Sequence, residues 1–134
     1  MIGSKTWKHH VMLNKKTYVD TAETVIKRLP KDYHGRPRVT TSQIRKLLSM
    51  TSSLYDEVRR ARRKILSEDE QERIQYIRLH IAYAARDPEV KKFVDEAELL
   101  EHIKDIGDNK AQFILFCRYM EALVAYHRYY GGKE

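Results

Sequence analysis

Large apolar residues return at intervals of three or four along most of this chain, the period of an α-helix, and no stretch alternates in the manner of a strand. The pattern is densest from Lys110 to Tyr130, where Phe113, Phe116, Met120, Leu123, His127 and Tyr130 share one face. Cys117, Tyr119, Val124 and Tyr126 widen that face until only a strip of Ala111, Arg118, Glu121, Ala125 and Arg128 is polar or small. A helix apolar around most of its circumference has to be wrapped by other helices of the same chain. It is not a membrane span, because Arg118, Glu121, His127 and Arg128 interrupt a run that would need about 20 mainly apolar residues.

Four further helices precede it. The first begins at Tyr18, with Ala22, Val25, Ile26 and Leu29 on its buried face, Asp20 and Glu23 near its start, and Pro30 at its end. Pro30 to Val39 carries two prolines, a glycine and four basic side chains, which reads as a basic loop that a partner would order. A capping box of Thr40 and Gln43 opens the second helix, whose stripe runs through Ile44, Leu47, Leu48, Thr51, Tyr55, Val58 and Ile65. Ser67 and Glu70 repeat the box before a third helix with Ile74, Ile77, Ile81 and Ala84 inside and Tyr76, His80 and Tyr83 flanking. Asp87 caps the fourth, with Pro88 at its first position and Val90, Phe93, Val94, Ala97, Leu100 and Ile103 as its stripe. Ile106-Gly107 stops it, Asp108 caps the fifth helix, and Gly131-Gly132 ends that one. The expected fold is all-α, a five-helix bundle with a buried C-terminal helix. Residues 17–134 form its single domain, and residues 1–16 form a flexible N-terminal tail anchored by Trp7.

Charge changes the picture more than length does. The chain carries a formal net charge of +7, yet residues 1–66 hold 16 Lys/Arg against 5 Asp/Glu, whereas residues 67–134 hold 10 against 14. A polycationic half on a small domain points to an anionic partner, nucleic acid before membrane, since no basic stretch carries a large exposed apolar face. The bland alternative is a solvated surface. The single cysteine, Cys117, lies in the most apolar helix and fits a reducing, cytoplasmic setting, and the N-terminal residues lack the apolar core of a secretory signal.

Candidate chemistry is sparse. Six histidines are present, but only adjacent His9 and His10 pair closely, so no metal or other cofactor is expected, and His80 and His127 read as structural. Arg73 and His80 stand seven residues apart on one helical face and could hold a phosphate between a cation and a general acid or base, like the short motif of helical ribonucleases. TTSQIRKLL could serve as the recognition helix of a helix-turn-helix DNA-binding regulator, although the preceding loop is too long for that motif. The second helix is better suited to phosphates, because Arg45, Lys46, Arg59 and Arg63 repeat along its exposed side and supply charge without base-reading geometry.

VTTSQIRKLL, IQYIRLHIAYAARD, VKKFVDEAEL and above all FCRYMEALVAYHRYYGGK together closely resemble the small helical subunit of type III-A CRISPR–Cas effector complexes, the second subunit of the Csm set. The resemblance covers roughly residues 18–134. It implies a non-catalytic subunit of an antiviral ribonucleoprotein, present in more than one copy beside guide RNA and target RNA, with the large and backbone subunits as neighbours. It also implies RNA contacts from Arg45, Lys46, Arg78 and Arg86 in the matching segments. Arg59 and Arg63 are added by helix geometry alone. Further copies of the chain are expected to associate weakly through the basic edge of helix two and the acidic Asp95, Glu96, Glu98 and Glu101.

Overall fold

A computed structural model describes residues 9–134, so the anchoring expected of Trp7 lies outside the described residues. Six helices occur among them: α1 (Tyr18–Arg28), α2 (Thr41–Arg60), α3 (Glu68–Ala84), α4 (Pro88–Glu96), α5 (Leu99–Ile106) and α6 (Lys110–Tyr129). None is long and apolar enough to cross a membrane. α6 is the hub, packed mainly against α2 and α1 and also against α5, while α3 bridges α2 and α5. Its Phe113, Phe116, Tyr119, Met120 and Leu123 are buried among Ile26, Ile44, Leu47, Phe93 and Ile103.

The all-α class holds, but six helices replace the expected five because the stripe expected from Val90 to Ile103 is two stripes out of phase. Val90, Phe93, Val94 and Ala97 would continue at Glu101 and Lys104, which are charged, whereas the residues that are buried next are Leu99, His102, Ile103 and Ile106. Leu99 stands roughly 200° around a continuous helix from Ala97, so no straight helix could bury both. Glu98 resolves the conflict by taking the left-handed conformation, φ 54° and ψ 41°. That conformation costs a non-glycine residue about 1 kcal/mol. The carbonyl of Ala97, freed at the elbow, accepts a 2.9 Å hydrogen bond from the hydroxyl of the fully buried Tyr119.

Other boundaries follow from local chemistry. Thr40 with Gln43 and Ser67 with Glu70 form both capping boxes, and Asp87 accepts from the Glu89 and Val90 amides ahead of α4. Asn109, rather than Asp108, caps α6 through the Gln112 amide. α2 ends at Arg60 instead of reaching Ile65, since Ala61 and Arg62 offer no large apolar group where the stripe would continue after Val58. Ile65 is consequently exposed, and pairs in an isolated antiparallel bridge with Asn109, while Leu66 turns into the core. The basic loop is closed by bonds of its own. Asp32 accepts from the His34 and Arg36 amides, a bridge joins Lys31 to Pro37, and Gly35 supplies φ 80°.

Candidate nucleic-acid interface

Two basic grooves emerge from this arrangement. The larger, about 910 Å³, lies where residues 62–65 run beside the first turns of α6 and the start of α1. Leu66 donates to the Asp108 carbonyl at 2.8 Å, the Lys110 amide donates to the Lys64 carbonyl at 3.3 Å, and the Lys110 ammonium reaches the Ala61 carbonyl. These bonds hold RRK (62–64) in a non-helical connection after α2, so its cations sit beside α6 instead of around a helix. Lys15, Arg62, Arg63, Lys64, Lys110 and Arg118 line the groove, and no carboxylate does. Among the described residues Lys15, Arg62, Lys64 and Arg118 form no ion pair. Tyr18, Ile65, Ile114 and Leu115 give it an apolar floor. Cations on a rim over an apolar and aromatic floor suit a flexible polyanion whose bases or sugars lie against the floor.

Arg63 stands in this groove but off the ladder on which it was expected. Its guanidinium is forked onto Glu70, with both nitrogens 3.1 Å from the two carboxylate oxygens, and donates at 3.2 Å to the Ile65 carbonyl. Glu70 is only 2 % exposed and also accepts from the Ser67 amide. The Arg63 hydrogen bonds, outweighing burial, hold the Glu70 carboxyl down to about 2, and the same pairing raises Arg63.

The smaller groove, about 370 Å³, brings two of the expected residues together. Lys46 from α2 and Arg86 from the α3–α4 turn share it with Gln43, Leu47, Ala84, Val90 and one carboxylate, the α4 cap Asp87, and Arg86 lies 4.1 Å over the Tyr83 ring. Arg45 and Arg59 are exposed on α2, Arg59 against the Tyr55 ring, and the half-buried Arg78 donates to Gln75. The six expected residues thus fall on several surfaces. Lys15, Arg62, Lys110 and Arg118 are not marked as binders by the period of any one helix, because the groove joins parts of the chain about 50 to 100 residues apart. One local signal existed: after Val58 the apolar period lapses into RRARRK, a run that no amphipathic helix accommodates well.

The histidine readings divide. His127 is structural as expected: buried, with Nε2 donating to the Val39 carbonyl at 2.7 Å and Nδ1 3.2 Å from the Thr41 hydroxyl. His80 is exposed, edge-on to Tyr76 at 4.5 Å, rather than tucked beside the core. Arg73 is engaged by Glu57 at 2.9 Å and by Asp69 at 3.7 Å, which neutralises the cation a phosphate would need. The segment between α1 and α2 is a closed twelve-residue loop, unlike the short turn of a helix-turn-helix.

Comparison with known proteins bears on the chain as a whole. The family described as Csm2 Type III-A matches residues 14–133. The chain is 45 % identical over 124 residues to the CRISPR system Cms protein Csm2 of Streptococcus thermophilus, covering 92 % of this chain and 98 % of that one. It is 43 % identical over 118 residues to the protein of that name from Mycobacterium tuberculosis (strain H37Rv), covering 87 % and 94 %. It is 32 % identical over 110 residues to that of Enterococcus italicus, covering 75 % and 78 %.

Proposed function

The chain belongs to the type III-A Csm2 family, and from that premise we propose that it is a non-catalytic, RNA-binding subunit of a CRISPR ribonucleoprotein, with a single RNA strand running through the groove between residues 62–65 and α6. The observation that carries the strand path is the convergence of Lys15, Arg62, Lys64 and Arg118 on one carboxylate-free groove with an apolar floor. Lys46 and Arg86, with Arg45 and Arg59 on α2, extend the positive surface along which guide or target strand would continue. Large and backbone subunits and further copies of the chain are the neighbours this reading assigns.

Contacts of this kind go mainly to phosphates, so binding is insensitive to base sequence and steep in salt. Anisotropy titrations of a labelled single-stranded RNA across a salt series test it. The double variant Arg62→Ala, Arg118→Ala is expected to lower the slope of log K against log salt by about 1.4, or about 0.7 for each lost phosphate contact. RNA should remain uncut throughout. Affinity that follows base sequence, or a double variant that binds as the parent does, sinks the groove assignment.

A further inference from the structure

One cluster of side chains away from the basic grooves joins the residues before α1 to the elbow between α4 and α5. His10 Nδ1 lies 2.5 Å from Glu98 Oε1, and His10 Nε2 lies 2.5 Å from Asp105 Oδ2. The same Asp105 oxygen stands 3.8 Å from Nδ1 of His102, a side chain only 3 % exposed. That buried Nδ1 has no hydrogen-bond partner. The two imidazoles lie with centroids 4.7 Å apart and planes tilted by 51°, and one donor atom each of His10, His102 and Asp105 all fall within 4.8 Å of one another. Helix packing explains why His102 is buried, on the inner face of α5 edge-on to Tyr119. It does not explain an unsatisfied nitrogen aimed at a carboxylate and a second histidine, since buried polar atoms are as a rule paired.

We propose that His10 Nε2, His102 Nδ1 and Asp105 bind a zinc-class divalent cation, with Glu98 holding the other His10 nitrogen. Two imidazoles and one carboxylate are the donors of a borderline ion such as zinc, whereas magnesium and calcium take oxygen-rich sites. Ligands about 2.0–2.2 Å from a tetrahedral zinc stand roughly 3.3–3.6 Å apart, so His102 and Asp105 are already close to that separation. His10 Nε2, 2.5 Å from Asp105 and within 4.8 Å of the His102 nitrogen, has to draw back from the carboxylate and settle at ligand spacing from both as the proton it shares with Asp105 leaves to solvent. Glu98 then plays the part of the carboxylate that fixes a ligating histidine, accepting Nδ1–H and leaving Nε2 for the metal. Three protein donors leave a fourth position for water. The ion would tie the segment that precedes α1 to α5, across a sequence distance of more than ninety residues.

Zinc chloride titrated into the EDTA-stripped full chain, in competition with a chromogenic chelator, tests the site. One zinc per chain and a raised melting temperature are expected, with magnesium chloride at the same concentration leaving that temperature unchanged. Asp105→Asn and His10→Ala should each weaken zinc about a hundredfold or more, and Glu98→Gln about tenfold, as outer partners of metal ligands do. Because substituting His102 disturbs the core, its part is read in the parent chain from long-range nitrogen–proton spectra, where Nδ1 of His102 should shift on zinc addition. Absence of stoichiometric zinc, zinc binding that survives both Asp105→Asn and His10→Ala, or an unmoved His102 nitrogen would each overturn the proposal.

Discussion

His127 shows how a polar side chain is kept in a core without charge. The Val39 carbonyl can only accept, so Nε2 carries the hydrogen, and Nδ1 is left to accept from the Thr41 hydroxyl. Burial, more than any neighbour, lowers its pKa, which keeps the ring in that neutral form. Cys117 is protected in a different way. It is buried in the core, and burial pushes its thiol up to about 12, which suppresses the reactive thiolate. A thiol reagent at pH 8 should therefore leave the native chain unmodified and label it stoichiometrically in denaturant. Met120→Ala, which empties a fully buried position on the same helix, should destabilise by about 2–5 kcal/mol in urea unfolding. Glu70 sets an acid limit. Its folded pKa of about 2 lies below the ordinary 4.5, so the stability it contributes is complete above about pH 4.5 and is lost as the pH falls toward 2. Glu70→Gln should destabilise at pH 7 by about 1–2 kcal/mol, reduced by solvent around Arg63, and should flatten the decline between pH 4.5 and 2. Parent and variant that lose stability in parallel over that range would remove Glu70 as the cause.

Among the elements, the α4–α5 elbow depends most on a contact from elsewhere. Tyr119→Phe removes one oxygen, leaves the ring packed and strands the Ala97 carbonyl, so a loss of about 1–3 kcal/mol is expected, together with faster amide exchange at Ala97–Leu99. An unchanged melting temperature would mean that the elbow is held by the packing of Leu99 and Phe93 alone. The starts of most helices are legible in the sequence and this elbow is not, for a physical reason. Capping boxes, a proline at the first helical position and closing glycines are local, and each one marks its helix in the sequence. The elbow consists of a phase shift between two apolar sets, and Leu100, a half-buried residue, was able to bridge them on paper. The end of α2 was misplaced for a similar reason: Ile65 falls seven residues after Val58, in step with a helix that had already ended. Site residues were harder to read than helices. Exposed cations on one helix can be counted from its period, but the large groove is assembled from three chain segments that only packing brings together.

For the whole molecule, the contrast between a basic and an acidic half survives folding with modifications. Asp95 is paired with Lys91 at 2.9 Å and Glu98 with His10, and the acidic residues are divided between α4 and α5 instead of lining one helix. Association of copies through basic and acidic faces should therefore be weak, rise at low salt and disappear in Asp95→Lys, Glu101→Lys, as sedimentation would show. Association that persists in high salt would instead implicate Tyr76, Leu79 and Tyr83, which are 63 %, 63 % and 65 % exposed on α3. The position of α6 has a further consequence, for synthesis. The ribosome makes α1 to α5 before the helix on which α1, α2 and α5 pack, so until α6 emerges the faces that these three turn toward it stay uncovered, whatever α3 and α4 shield. Such a chain cannot settle piece by piece as it is made. A nascent chain stalled at Asn109 should be digested rapidly by protease, and one extended past Gly132 should resist, with little protection gained at any length between the ends of α2 and α5.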